Sequence, residues 1–217
     1  MNQIFNLDNP FFRGISKIID CVWLSLLWFM CSIPVFTIGA ATTALYYTVN
    51  KSIKNDRGYA SSEYFSAFKS NFKQSTVVWL VFLAIYALLG VDYFVMKAYA
   101  EAGAEIGKIY TAFLIFGVII TMWGFYVFPY IARFENTTKN VLKNTLFIAI
   151  SNIHWTITMT VIFVAMWVGI YLFMPIALVM PVLYQLLKNI VIEHVFKKYM
   201  TPEDLALEEE RNRNFYN

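Results

Sequence analysis

Charge is what this chain has least of. Only 14% of its 217 residues are Asp, Glu, Lys or Arg, against about 25% in ordinary soluble domains. Runs without a formal charge extend over residues 21–50, 109–132 and 144–187. A soluble fold cannot hide stretches of that length, whereas a hydrocarbon slab about 30 Å thick asks for about 20 apolar residues per helical crossing. The expected fold class is all-α, a polytopic transmembrane helix bundle with the lipid bilayer as its first partner.

Other scarcities exclude chemistry. The two cysteines, Cys21 and Cys31, would stand about 15 Å apart on a continuous helix, beyond the ~7 Å Cα reach of a disulfide. They are read as small buried hydrophobes. The two histidines, His154 and His194, fall on different expected helices without the ligand spacing of a metal site. No His-Glu-x-x-His, Gly-x-Ser-x-Gly or Walker loop occurs. No catalytic residue, cofactor or metal is expected, and an enzyme is the disfavoured class. The net charge of +3 is spread without a basic, aromatic-interleaved patch, which argues against nucleic acid as a partner. The first residues lack a basic stretch leading into an apolar core and a small-residue cleavage site, so the first hydrophobic segment is expected to stay as structure.

Basic residues orient the spans, because Lys and Arg collect in short cytoplasmic loops. Lys51, Lys54, Arg57, Lys69 and Lys73 form one such group; Arg133, Lys139 and Lys143 a second; Lys188, Lys197, Lys198, Arg211 and Arg213 a third. Four spans follow at about 75–96, 109–131, 152–173 and 175–196, in one domain over 1–200 with a cytoplasmic tail at 201–217. In that tail, Thr201 is expected to cap a short acidic helix that begins at Pro202 and carries Glu203 and Asp204 in its first turn.

The N-terminal segment is harder to place. Two crossings put fifteen basic residues inside and two outside, whereas one crossing gives thirteen and four. Yet 33 residues from Ile18 to Asn50 fall short of the ~40 that two full spans need. Pro34 and Gly39 make a break cheap, proline by removing a donor and glycine by tolerating positive φ. A short or re-entrant hairpin is expected, with helices at about 18–33 and 38–50, and five or six crossings in all. Gly39 with Thr43, and Ala40 with Ala44, give its second helix a small-residue face, for which the span bearing Asn152, Thr156 and Thr160 is the expected partner.

Two amphipathic stretches flank spans. In SSEYFSAFKSNFKQS, Phe65, Phe68 and Phe72 recur at helical spacing, so 61–73 reads as a helix lying in the membrane interface and as a candidate docking surface. NTTKNVLKNTLFIAISN has a weaker face. Among ionisable residues near the spans, Asp20 and Asp92 read as anchors at helix ends, and Lys188 as a side chain that snorkels to the surface.

Two places could serve a solute or a helix contact. One is the break, with Ser32, Pro34, Thr37, Gly39, Thr42 and Thr43. The other is the i, i+4, i+8 stripe of Asn152, Thr156 and Thr160, which in lipid is more often interhelical glue than a solute path.

The series SLLWFMCSIPVFTIGAATTALYY, SAFKSNFKQSTVVWL, NVLKNTLFIAISN and MPIALVMPVLYQLLKNIVIEHVFKKY resembles the YesL-like membrane proteins of Gram-positive bacteria. The resemblance runs from about Phe12 to Tyr199, with Ser25 standing where many members carry Asn. It implies a multi-pass protein of the bacterial cell membrane without established catalytic residues. Members are often encoded beside carbohydrate ABC transporters, two-component regulators and glycan-degrading enzymes. The resemblance therefore implies an accessory role in sugar uptake or sensing, with carbohydrate ABC permease subunits or a sensor kinase as partners. A small-solute transporter or channel with its site at the broken segment is the competing expectation.

Overall fold

A computed structural model describes residues 10–55, 58–203 and 205–206. Within them the chain forms seven α-helices and no strand: α1 (Pro10–Ser32), α2 (Ile38–Thr48), α3 (Ala60–Glu101), α4 (Tyr110–Arg133), α5 (Thr138–Ser151), α6 (Ile153–Leu172) and α7 (Met180–Lys197). Four described segments are long and apolar enough to cross a membrane: Gly14–Ser32, Ala60–Glu101, Glu105–Arg133 and Ile153–Leu172. Large apolar side chains on them, among them Leu88, Phe94, Ile115, Val161 and Trp167, stay exposed on the outer surface of the bundle. That distribution suits hydrocarbon as solvent, and the protein is an all-α membrane protein.

The centre of the bundle is α2. Its 11 residues extend only about 16 Å, and a π-helical turn, Val49–Lys54, continues it. Gly39, Ala40, Ala41, Thr43, Ala44, Leu45, Tyr46 and Thr48 are buried, so the helix is apolar or small nearly all round, as a helix enclosed by others must be. It packs most extensively on α3 and α4, and also on α1 and α7. Gly39 allows the closest approach: a Cβ there would lie 2.6 Å from both Ser75 O and Trp79 Cβ, and 2.9 Å from the Phe128 ring. The small-residue face therefore meets α3 and α4 rather than the span bearing Asn152, Thr156 and Thr160. The reason is that the Ser75 carbonyl, Trp79 Cβ and the edge of the Phe128 ring can approach a bare backbone.

The break between α1 and α2 is short. Pro34 is extended (φ −74°, ψ 108°) and a 3-10 turn, Val35–Thr37, leads into α2. Proline interrupts the helical ladder and leaves carbonyls that lipid cannot satisfy. Side chains take them up: Thr37 Oγ1 donates to Cys31 O (2.5 Å) and Pro34 O (2.6 Å), and Trp79 Nε1 donates to Val35 O (2.7 Å). Trp28 Nε1 reaches across to Thr42 Oγ1 (3.2 Å) and pins α1 to α2. Cys21 and Cys31 are free and half-buried.

The stretch expected as a separate interfacial helix at 61–73 is instead the first third of α3, one helix of 42 residues. Nothing in SSEYFSAFKSNFKQSTVVWL breaks it, since it holds neither proline nor glycine. The second amphipathic stretch does end before its span. Asn152 (φ −121°, ψ 45°) separates α5 from α6, and its side chain donates to Ile148 O (3.0 Å) and to the Tyr199 hydroxyl (2.8 Å).

The main core joins α3, α4, α6 and α7 through Phe82, Phe125, Tyr126, Met159, Ile192 and Phe196. A second core, with Leu24, Leu45, Val49, Tyr64 and Val182, closes the other side of α2. Beyond α7, Leu205 N donates to Thr201 O (3.1 Å), a first helical turn at the expected place. Asp204 and residues 207–217 lie outside the described residues.

Gly39→Leu should therefore lower the midpoint of thermal unfolding in detergent micelles, at a cost of at least the ~1–3 kcal/mol of an overpacked core. Gly90→Ala, at a helical glycine with open space around it, should leave the midpoint unchanged or raise it slightly. Circular dichroism during heating checks both.

Candidate functional site

Along one face of α7 stand Gln185, Lys188, Asn189 and Glu193, all buried. Their i, i+3, i+4, i+8 spacing places them in a single stripe, and α2, the π-helical turn and α4 supply what they face. The Tyr46 hydroxyl donates to Glu193 Oε1 (2.8 Å), and Asn50 Nδ2 donates to the same oxygen (3.2 Å). Arg133, at the end of α4, pairs with the other oxygen at 3.4 Å, its side chain 15% exposed. One turn earlier, Lys54 Nζ donates to Asn189 Oδ1 (2.9 Å). Gln185 Nε2 reaches Thr42 O at 3.4 Å. π-helical turns are rare and recur at functional sites; this one carries Asn50 and Lys54 into the stripe.

A cation and two donors meet the Glu193 carboxylate, company that an isolated buried carboxylate would lack. Lys188 differs. It is 2% exposed, its ammonium lies 5.3 Å from the centroid of the Tyr184 ring, and no carboxylate among the described residues pairs with it. Sequence reasoning placed it at the surface by snorkelling; the structure buries it, because its face of α7 packs against neighbouring helices rather than lipid. The buried atoms Gln185 Oε1, Asn189 Nδ2, Tyr184 OH and Ser25 Oγ have no hydrogen-bond partner among the described residues.

Beside this network, Lys51 pairs with Glu63 (2.7 Å) in the first turn of α3. Burial lowers the Lys51 pKa, but the bonds to Glu63 and Tyr47 outweigh that and hold it above its ordinary value.

The residues singled out in the sequence fall into three separate places. At the break, the hydroxyls of Thr37 and Thr42 are taken by the bonds described above, Thr43 Oγ1 bonds Gly39 O and Ser75 Oγ (both 2.9 Å), and Ser32 Oγ is buried without a partner among the described residues. At the α5–α6 junction, Thr156 Oγ1 bonds Ala149 O (3.0 Å), Asn152 O (3.1 Å) and the Tyr126 hydroxyl (2.9 Å), while Thr160 Oγ1 donates to Thr156 O (2.8 Å). On α3, Phe65 and Phe72 are 51% and 36% exposed, while Phe68 is half-buried and stacks on Tyr64 (6.4 Å).

The α7 stripe escaped sequence reasoning. Its signal is four polar residues at helical spacing in an apolar segment, of which sequence reasoning singled out only Lys188. Both histidines contact the Trp155 ring, at 5.3 Å and 5.2 Å between ring centroids. No group of three metal-ligating side chains forms among the described residues.

Residues 21–93 match the family described as "Protein of unknown function, DUF624". That segment covers the end of α1, the break, α2 and most of α3. The chain is also similar to "Uncharacterized protein YteU" of Bacillus subtilis (strain 168), 27% identical over 157 residues, which are 67% of this chain and 69% of that protein. No solved structure matches.

Removing the charge of Glu193 should unsettle the network in a graded way. Glu193→Ala is expected to cost about 3–5 kcal/mol, as when one partner of a buried pair is lost, with the water that reaches Arg133 favouring the low end. Glu193→Gln should cost less, and pairing it with Arg133→Gln should recover part of the loss. A double-mutant cycle on detergent-solubilised protein measures the coupling.

Proposed function

We propose that this protein is a non-enzymatic accessory component of carbohydrate uptake or sensing in the bacterial cell membrane, and that it works by holding another membrane protein. The basic end of the bundle faces the cytoplasm in this reading. The observation that carries it is the exposure of Phe65 and Phe72 on the part of α3 that precedes its span. Two aromatic side chains left facing solvent on a rigid helix are the kind of anchor that a protein interface buries. Phe68 and Tyr64 stack beneath them and hold that surface in place.

The setting rests on the resemblance to YesL-like proteins, and the match of residues 21–93 to DUF624 is in keeping with it. The partner implied is a carbohydrate ABC permease subunit or a sensor kinase. A second reading, a small-solute carrier with its site at the broken segment, has less behind it. Thr37, Thr42 and Thr43 already bond to protein groups, and the backbone at Gly39 lies against α3 and α4.

Affinity purification in mild detergent, after brief crosslinking in cells, should recover permease or kinase subunits with the wild-type protein. Phe65→Ala/Phe72→Ala should reduce that recovery about tenfold, the scale of losing an interface anchor. Recovery of the protein alone, even after crosslinking, would overturn the proposal.

A further inference from the structure

A cleft of about 480 Å³ lies between the first third of α3 and the segment that follows α4. Its volume is in the range of small-ligand sites. From α3 come Ser66, Ser70 and Gln74, at i, i+4 and i+8, with Asn71 beside Ser70. That spacing is one face of a helix, so these side chains point towards the cleft together. Gln74 shows the direction, since its Nε2 donates to Asn136 O (2.7 Å), which belongs to the other wall. Asn71 Nδ2 donates to Ala67 O (3.0 Å) and Ser70 Oγ (3.1 Å), which orders the pair on the same face.

This lining is reachable. Ser66, Ser70 and Asn136 are exposed, and Asn71, Gln74 and Phe134 are half-buried. With their amide nitrogens engaged, Asn71 Oδ1 and Gln74 Oε1 accept no hydrogen bond among the described residues, and neither atom is sealed from solvent. Amides and hydroxyls each combine donor and acceptor, as the hydroxyls of a polyol do. Charge points the same way. The cation in the lining, Arg133, faces the Glu193 carboxylate at 3.4 Å, while Glu135 adds a carboxylate and Lys69 and Lys73 do not line the cleft. A phosphate or carboxylate would find little to balance it, and a hydrocarbon chain would leave the polar side chains unmatched.

We propose that this cleft binds a neutral mono- or disaccharide. Its hydroxyls donate to Asn71 Oδ1 and Gln74 Oε1 and exchange bonds with Ser66 and Ser70, while Phe134 in the other wall offers apolar surface to the C–H face of a sugar ring. The inference rests on this lining and not on the docking role proposed for Phe65 and Phe72, which at about 100° per residue stand on the opposite side of α3.

The test uses the full chain in phosphatidylglycerol nanodiscs, free of sugar-headed detergent, and equilibrium dialysis against radiolabelled glucose, xylose, maltose and cellobiose. At least one should bind saturably, and about tenfold more tightly than glucose 6-phosphate or adenosine, the scale of one unmatched polar group. Asn71→Leu and Gln74→Met, each similar in volume to the residue replaced, should weaken that binding by about the same factor. Ser70→Trp, which fills the cleft from an exposed position, should abolish it while the protein remains monodisperse. Absence of saturable binding by all four sugars would overturn the proposal. So would tighter binding of glucose 6-phosphate or adenosine, or sugar binding that survives Ser70→Trp. Because this readout needs no partner protein, its failure and that of the docking role are told apart.

Discussion

The contact on which the bundle depends is made at a residue that has no side chain. At Gly39 the backbone of α2 lies against Ser75, Trp79 and Phe128, and this closeness lets a helix too short for a span sit at the centre of the fold. In lipid, helices gain little by hiding apolar surface from one another, so association depends on close packing and hydrogen bonds. The Thr43–Ser75 bond and the Trp79 bond to Val35 O are made possible by that approach. The break at Pro34 thus becomes a joint whose carbonyls are covered by Thr37 from within and by Trp79 of α3 from outside.

Once α2 is enclosed, its far end determines what α7 must carry. Tyr46 and Asn50 come from α2 and its π-helical turn, and they converge on Glu193 with Arg133 from α4. A buried carboxylate is tolerable only with such company. The network binds the last helix to the first hairpin across 147 residues of sequence between Tyr46 and Glu193.

Much of this was legible beforehand, for stated reasons. Uncharged runs mark membrane helices because hydrocarbon excludes charge, and Pro34 with Gly39 marks a break because proline removes a donor. The small residues from Gly39 to Ala44 announced close packing, but nothing in them says which helix approaches; Ser75 and Trp79 were hidden inside an ordinary apolar pattern. The same limit applies to α3. Phe65, Phe68 and Phe72 show an amphipathic face, yet amphipathicity does not tell whether a helix bends at the membrane surface or runs straight through. The α7 stripe was missed because Lys188 near a helix end satisfies the snorkelling rule, and only the packing of α7 against its neighbours removes the water it would have reached.

The 42 residues of α3 measure about 63 Å, twice the thickness of a hydrocarbon slab of about 30 Å. Phe65 lies 20 residues from Ile85, an arm of about 30 Å. With no hinge between them, a tilt of about 10° at the span moves the aromatic face by about 5 Å, by simple leverage on a helix of that rise. A tilt at one end of the rod would thereby become a displacement at the other. Conversely, a force applied at Phe65 would turn the same rod against Gly39.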